Sequence, residues 1–444
     1  MNSRSRPVLD PGALLEQRRI VVCVGTGGVG KTTVAAALAA EGARRGRRTL
    51  VLTIDPARRL ADALGVAEIG NEPVALSAES QRALGVPETG ALEAVMLDMK
   101  STFDDLVHRF ADSPETIERI LENPIYQHVS DALAGSSEYA AMEKVHELVE
   151  CGRYDLVVVD TPPSQHALDF LDAPQRLLEF LDSRVVKVLL HPAFAAGRFG
   201  FKLFHRATRR VLQIFERVSG LSFLEDISEF LLAFEGMSEG FRERARRVRA
   251  LLLGPESAFL LVAGPSPESA ANALTFLDHL GASQVPLSGV VVNRMRLWPG
   301  AGDGRPPEVL VGAEALDAEH RALADALMQQ GESSPDAALR AARAAVEAAA
   351  GYASLVDLDW RSTAPLAQRA ERDGLFLRRV PEMARDVHDL EGLERIADHL
   401  FSGSEVAGGG ARPASAKAVD DGSGTGAGAE AGAGAGAGGR ETGT

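Results

Sequence analysis

The sequence has few cysteines, no long apolar run and a shortage of positive charge, and each shortage excludes a class of protein. Only two cysteines occur among 444 residues, Cys23 and Cys151, which argues against a disulfide framework or a zinc site. Without a run of about 18 uncharged apolar residues, no membrane-spanning helix is predicted. The formal net charge of −15 argues against non-specific binding of nucleic acid. We therefore expect a cytoplasmic chain with no nucleic-acid partner.

What is present is an alternation of short apolar runs with helical stretches. The apolar runs are RIVVCV, RTLVLTI, AVMLD, DLVVVD, AFLLVAG, LSGVVVN and LFLRRV. Helical candidates between them are Lys31–Arg45, Glu138–Glu150, Pro267–Leu280 and Leu390–Leu400. Continuously apolar runs of this length are typical of parallel strands covered on both faces. The alternation predicts an α/β fold with a doubly wound, mostly parallel sheet.

Three segments depart from this alternation and define the predicted domain boundaries. Residues 1–18 are predicted to be a flexible leader, followed by one α/β domain over residues 19–402. Residues 174–253 are rich in Phe, Leu and Val and show no strand pattern, so we expect an all-helical insertion there. Residues 403–444 are Gly- and Ala-rich and cannot build a core, which predicts a disordered tail.

A glycine loop after the first apolar run fits two fingerprints at once. Gly25, Gly27 and Gly30 spell G-x-G-x-x-G, which is typical of dinucleotide-binding folds. The same loop spells G-x-x-x-x-G-K-T with Lys31 and Thr32, which is a phosphate loop for a nucleoside triphosphate. Only the second interpretation gives Lys31 and Thr32 a role, and the loop follows a strand and opens a helix as that motif requires. We therefore predict that it is a phosphate loop that binds a nucleoside triphosphate.

The phosphate loop assigns a role to each part of the motif. Backbone N–H groups at the start of a helix bind phosphate oxygens, with the helix dipole behind them. Lys31 reaches the β- and γ-phosphates, and the Thr32 hydroxyl ligates Mg²⁺. The predicted nucleotide-binding residues of the loop are Gly27, Gly28, Val29, Gly30, Lys31, Thr32 and Thr33.

Two acidic residues follow apolar runs and complete the predicted site. Asp160 ends the run DLVVVD and is followed by Thr161-Pro162-Pro163, the expected position of a carboxylate that holds Mg²⁺ directly or through water. Asp55 directly follows the run RTLVLTI, where it can orient the attacking water or sense the γ-phosphate. The alternative for Asp55 is an N-cap for the following helix.

These pieces together resemble the ArsA-like family of P-loop ATPases, which includes the arsenite-pump and tail-anchored-protein targeting ATPases. GTGGVGKTT resembles their phosphate loop, IDPARRLADALG their first switch and VVVDTPPSQHALDFL their second. The resemblance extends over about residues 19–401. It implies that Asn293 in GVVVNRM contacts the adenine base and that Pro381 lines the adenine pocket.

The resemblance also implies a partner subunit. In addition, the glycine loop differs from that of the family at Thr26. Members act as dimers, and their loop commonly carries a lysine that reaches the partner's phosphates, where this chain has Thr26. The missing charge could come from a related subunit in a heterodimer, or from Arg58 or Arg59. The resemblance further implies that the helical insertion handles a protein or membrane-associated client, although internal packing explains its Phe and Leu content equally well. Peripheral membrane contact is left open.

The predicted function is a Mg²⁺-dependent ATPase that couples ATP binding and hydrolysis to a conformational change of a dimer. Three alternatives stay open at this point. The chain could be a partitioning or septum-positioning ATPase, although the proteins of that group are shorter. It could be a nucleotide-binding regulatory subunit with little turnover, as Thr26 suggests. A dinucleotide oxidoreductase remains the alternative if the other fingerprint is the functional one.

Overall fold

The described part of the chain is built on an eight-stranded sheet. The computed structural model describes residues 10–54, 59–66, 69–111, 113–123, 126, 136–162, 240, 243–311, 317–331, 334–387 and 389–401. The strands are β1 (Ile20–Val24), β2 (Arg48–Thr53), β3 (Val74–Ala75), β4 (Ala91–Met96), β5 (Leu156–Asp160), β6 (Ser257–Ala263), β7 (Leu287–Met295) and β8 (Phe376–Pro381). Their order is β3-β4-β2-β5-β1-β6-β7-β8. All neighbouring pairs are parallel except β3 with β4.

Helices cover both faces of this sheet. They are α1 (Pro11–Gln17), α2 (Lys31–Arg44), α3 (Arg59–Leu64), α4 (Ala78–Ala83), α5 (Met99–Phe110), α6 (Pro114–Leu121), α7 (Ser136–Glu150), α8 (residues 243–252), α9 (Pro267–Ala282), α10 (Asp317–Gln329), α11 (Pro335–Arg372) and α12 (Leu390–Phe401). None of the helices within the described ranges combines the length and the apolar character needed to cross a membrane.

Strand β1 shows why the sheet needs two helical layers. All five of its residues are buried. Val21 and Cys23 belong to a hydrophobic cluster with residues of α2 and α12, whereas Ile20, Val22 and Val24 belong to a second cluster with residues of α7 and α9. A strand with apolar residues on both faces is stable only when both are covered. The prediction of a doubly wound, mostly parallel α/β sheet is confirmed.

The N-terminal segment differs from the expectation of a flexible leader. Residues 11–17 form α1, which begins after Asp10, whose carboxylate accepts a hydrogen bond from the Ala13 N–H at 2.8 Å. Leu14 and Leu15 are fully buried in the cluster shared with α2. Two adjacent leucines with an N-cap suffice to fold this turn onto the core, because burying each side chain contributes about 2 kcal/mol. The predicted insertion lies outside the described residues up to residue 239, and so does the tail.

A long helical hairpin, α10 and α11, connects β7 to β8 and is tied to the sheet by buried charge. Asp359 of α11 is 1% exposed and accepts three hydrogen bonds from Arg296, which follows β7. The Arg296 backbone N–H donates at 2.9 Å, and its guanidinium donates at 3.0 and 2.7 Å to the two carboxylate oxygens. This bidentate pair fixes the chain where it leaves β7.

Replacing Asp359 by alanine is expected to lower the free energy of unfolding by about 3 kcal/mol, because it leaves a partly buried guanidinium without its carboxylate. Asp357→Ala is the matched control. Asp357 pairs at 2.8 Å with Arg361, whose side chain is 73% exposed, so that loss should be about 0.5 kcal/mol. Urea unfolding of both variants measures the difference, and equal losses would contradict the structural role of the Arg296 pair.

Candidate functional site

The glycine loop lies between β1 and α2 and packs against the neighbouring strands so closely that side chains are excluded. Gly25 has a φ of 152°, and a Cβ there would lie 2.1 Å from the backbone oxygen of Val262 in β6. Gly30 has a φ of 87°, and its Cβ would lie 2.3 Å from Nδ2 of Asn293 in β7. Only glycine fits at these two positions, so the sequence motif and the tertiary contacts require the same residue.

The glycine loop leads directly into the N-terminus of α2, the end of a helix that favours anions. Gly30 is the N-cap of α2 and supplies no side-chain hydrogen bond to the first turn. The N–H groups of a first helical turn have no partner within the helix, and the helix dipole adds positive potential there. Lys31, which is 6% exposed, adds a full charge at this end, and its Nζ donates to the Thr26 carbonyl oxygen at 3.0 Å. This arrangement suits phosphate oxygens.

Asp160 lies beside the loop and contacts it directly. It ends β5, pairs in register with Cys23 of β1 and Thr53 of β2, and is fully buried. Its Oδ2 accepts hydrogen bonds from the Thr32 hydroxyl at 2.7 Å and from the Thr53 hydroxyl at 3.0 Å. The strand register therefore brings a carboxylate from residue 160 to a hydroxyl at the start of α2.

The oxygen atoms at this point fit a magnesium ion. Mg²⁺ is bound in nucleotide sites through one or two protein oxygen ligands together with phosphates and water. The Thr32 hydroxyl and the Asp160 carboxylate are such ligands and are already within hydrogen-bond distance of each other. They are the two residues that would hold the ion.

Two residues of this site were not predicted from the sequence. Thr53 contacts Asp160, and the signal for it was a polar residue near the end of the otherwise apolar run RTLVLTI. The Thr161 hydroxyl donates a hydrogen bond to the Cys23 carbonyl oxygen at 2.8 Å and so fixes the backbone directly after Asp160.

Burial, with a smaller contribution from Asp160, raises the pKa of the Cys23 thiol, which keeps it neutral.

Of the remaining predicted residues, Asn293 and Pro381 lie at the carboxyl ends of β7 and β8, on the same edge of the sheet as the glycine loop. Asn293 is 4% exposed and donates from Nδ2 to the Val29 carbonyl oxygen at 2.9 Å. Pro381 ends β8 and pairs in register with Met295 of β7. Their contacts with adenine stay predictions. Thr33 is half-buried in the first turn of α2.

The first switch is only partly described. Asp55 and Arg58 lie outside the described residues, whereas Arg59 begins α3 and is exposed.

A glycine loop that opens a helix with Lys-Thr, beside a buried aspartate at the end of a parallel strand, defines a P-loop nucleoside-triphosphate-binding protein. The family model described as anion-transporting ATPase (ArsA ATPase) matches residues 18–300. The chain belongs to this family, which confirms the resemblance found in the motifs.

The chain is similar to three ATPases from an archaeon, an alga and a fungus. The chain is 32% identical over 168 residues to a putative arsenical pump-driving ATPase of Halobacterium salinarum, covering 38% of this chain and 26% of that protein. It is 28% identical over 307 residues to the ATPase ARSA1 of Chlamydomonas reinhardtii, covering 65% and 36%. It is 30% identical over 166 residues to the ATPase GET3 of Malassezia globosa, covering 37% and 45%. The chain thus spans less than half the length of each of these relatives.

Proposed function

We propose that this protein is a Mg²⁺-dependent ATPase that couples ATP binding and hydrolysis to a conformational change of a dimer. The observation that carries the proposal is the 2.7 Å hydrogen bond from the Thr32 hydroxyl to Asp160, next to the buried Lys31. A hydroxyl, a carboxylate and an ammonium group at one helix N-terminus are the groups that phosphoryl transfer requires.

Each residue of the site has a distinct role in this mechanism. The N–H groups of the glycine loop orient the phosphates, and Lys31 offsets the negative charge that develops on the transferring phosphoryl group. Bound Mg²⁺ would neutralise phosphate charge. Asp160 would hold the ion through its carboxylate. The hydrogen bonds that Thr32 and Thr53 donate to this carboxylate keep it in one orientation. Asp55, predicted from the sequence, would orient the attacking water.

The partner we propose is a second copy of this chain or a related ATPase subunit, which closes over the loop when ATP is bound. Gly27 and Gly28 are exposed, so another subunit can approach the phosphates there. The output of closure is the handling of a protein or membrane-associated client. The name of the Halobacterium relative refers to an arsenical pump. We do not propose arsenite as a substrate of this chain, because its two cysteines do not form a cluster: Cys23 is buried in β1, whereas Cys151 is exposed just after α7.

The proposal is tested with the full chain by calorimetric titration with ATP, ADP and NAD(P), by phosphate release with and without Mg²⁺, and by light scattering. We expect ATP binding, hydrolysis that requires Mg²⁺, and a larger molecular mass with a non-hydrolysable ATP analogue than with ADP. Binding of NAD(P) without ATP would contradict the proposal in favour of an oxidoreductase. ATP binding without turnover, alone or with a related subunit, would indicate a regulatory protein. Affinity capture with Asp55→Asn in ATP then identifies the client.

A further inference from the structure

The end of β7 is irregular at the point where it meets the glycine loop. The register between β7 and β8 runs from Val292 opposite Arg379 to Met295 opposite Pro381, so β7 has one residue more than β8 in this interval. Arg294 within it has a φ of 59°. An extra residue in one strand is a β-bulge, a device that re-aims side chains and is common next to active sites.

The bulge changes which side chains face the loop. In a regular strand Asn293 and Arg294 would point to opposite faces of the sheet. Here Val292 and Met295, three residues apart, both pack in the hydrophobic cluster on the α9 face, so the alternation is interrupted between them. Both intervening side chains reach the loop. Nδ2 of Asn293 lies 2.9 Å from the Val29 carbonyl oxygen, and Nη1 of Arg294 lies 3.5 Å from the Gly28 carbonyl oxygen.

The Arg294 guanidinium is weakly held and accessible. Its contact with Gly28 is long for a hydrogen bond. Within the described part of the chain, no carboxylate forms an ion pair with it, whereas Arg296, two residues further on, pairs with Asp359 at 2.7 Å. The residue is exposed, and a Cβ on Gly28 would meet no atom within 4 Å, so the space above that part of the loop is open.

A left-handed conformation is unfavourable for arginine, and residues held in this way cluster at ligand sites. The segment from Gly25 to Thr33 contains one side-chain cation, Lys31, for a ligand with several negative charges. The guanidinium fork matches phosphate oxygens in charge and geometry. The geometry points to Arg294 as a second cation of the site, which binds the phosphate groups of the nucleotide held by this loop. This assignment rests on the proposed nucleotide-binding function.

The test separates the charge of Arg294 from its backbone conformation. Arg294→Asn and Arg294→Gly both remove the charge and tolerate a positive φ, whereas Arg294→Lys keeps the charge. Calorimetric titration of the full chain with ATP, AMP and adenosine gives the three affinities for each variant. We expect Arg294→Asn and Arg294→Gly to weaken ATP binding about tenfold or more, to weaken AMP binding less, and to leave adenosine binding unchanged. Arg294→Lys should retain part of the ATP affinity that the two uncharged variants lose.

Salt dependence gives a second readout. Raising the salt concentration should weaken ATP binding more in the wild type than in Arg294→Asn, because the variant has lost a screened charge interaction. Thermal unfolding without nucleotide checks that the variants are folded, and Arg294→Gly should be no less stable than the wild type. If the wild type binds ATP and both Arg294→Asn and Arg294→Gly bind it equally well, the assignment of Arg294 is overturned while the proposed function stands. Equal losses for ATP and adenosine would also overturn it. A wild type that binds no ATP overturns both.

Discussion

Replacing Lys31 by alanine is expected to lower kcat for ATP hydrolysis by about a hundred- to a thousandfold, the range found when one preorganised donor to a developing charge is removed. The side chain is 6% exposed and lies inside the glycine loop, where its Nζ is 3.0 Å from the Thr26 carbonyl oxygen. Water cannot replace an ammonium group held at this point with the same geometry. Phosphate release at saturating ATP and Mg²⁺ measures the change.

Lys100→Ala is the matched control for this experiment. Lys100 lies on α5, its side chain is 52% exposed, and its Nζ pairs with Asp104 at 2.8 Å. Such an exposed pair contributes about 0.5 kcal/mol to stability and lies on α5, outside the glycine loop, so turnover should stay near that of the wild type. If Lys31→Ala hydrolyses ATP as fast as the control, the ATPase proposal fails.

Replacing Asp160 by asparagine is expected to raise the Mg²⁺ concentration needed for half-maximal activity about 10- to 100-fold, with a comparable fall in kcat. Asparagine keeps the shape of the buried side chain and can still accept a hydrogen bond from Thr32. It lacks the negative charge that the ion requires of a ligand at this position. A Mg²⁺ titration of ATP hydrolysis, and of ATP binding by calorimetry, measures the loss with and without turnover.

Asp155→Asn is the control for Asp160, since it lies just before the other end of β5. Asp155 makes a 2.7 Å ion pair with Arg48, whose hydrogen bond is the main cause of the lowered pKa of the Asp155 carboxyl. Losing this partly exposed pair should cost some stability and leave the Mg²⁺ titration unchanged. Equal Mg²⁺ requirements for the two variants would show that Asp160 does not bind the ion.

The sequence predicted the strands and the loop because both are local patterns. Seven apolar runs correspond to β1, β2 and β4–β8, and the helix predicted over Lys31–Arg45 is α2 (Lys31–Arg44). A parallel strand buried on both faces must be apolar throughout, and a phosphate loop must place glycines at fixed spacing. Each therefore has a pattern that can be recognised in consecutive residues.

Several elements have no recognisable local sequence pattern. Strand β3 is two residues long and pairs antiparallel with β4, too short for a periodic pattern to reveal. Helix α1 is stabilised because Leu14 and Leu15 pack into the hydrophobic cluster that contains α2. Composition alone does not predict this packing. Helix α11 continues through Pro365, where sequence rules favour a break, and its anchor at Asp359 depends on a distant arginine.

By itself the sequence determined the α/β class, the phosphate loop and the acidic residue at the end of β5. Only the tertiary structure decided which groups meet around them. Thr53 reaches Asp160 because β2 and β5 are neighbours in register, 107 positions apart in the chain. Asn293 and Arg294 reach the loop because β7 has a bulge and its residue 294 is left-handed. These contacts follow from strand order and register, which arise from packing the whole sheet and are not encoded in any short stretch of residues.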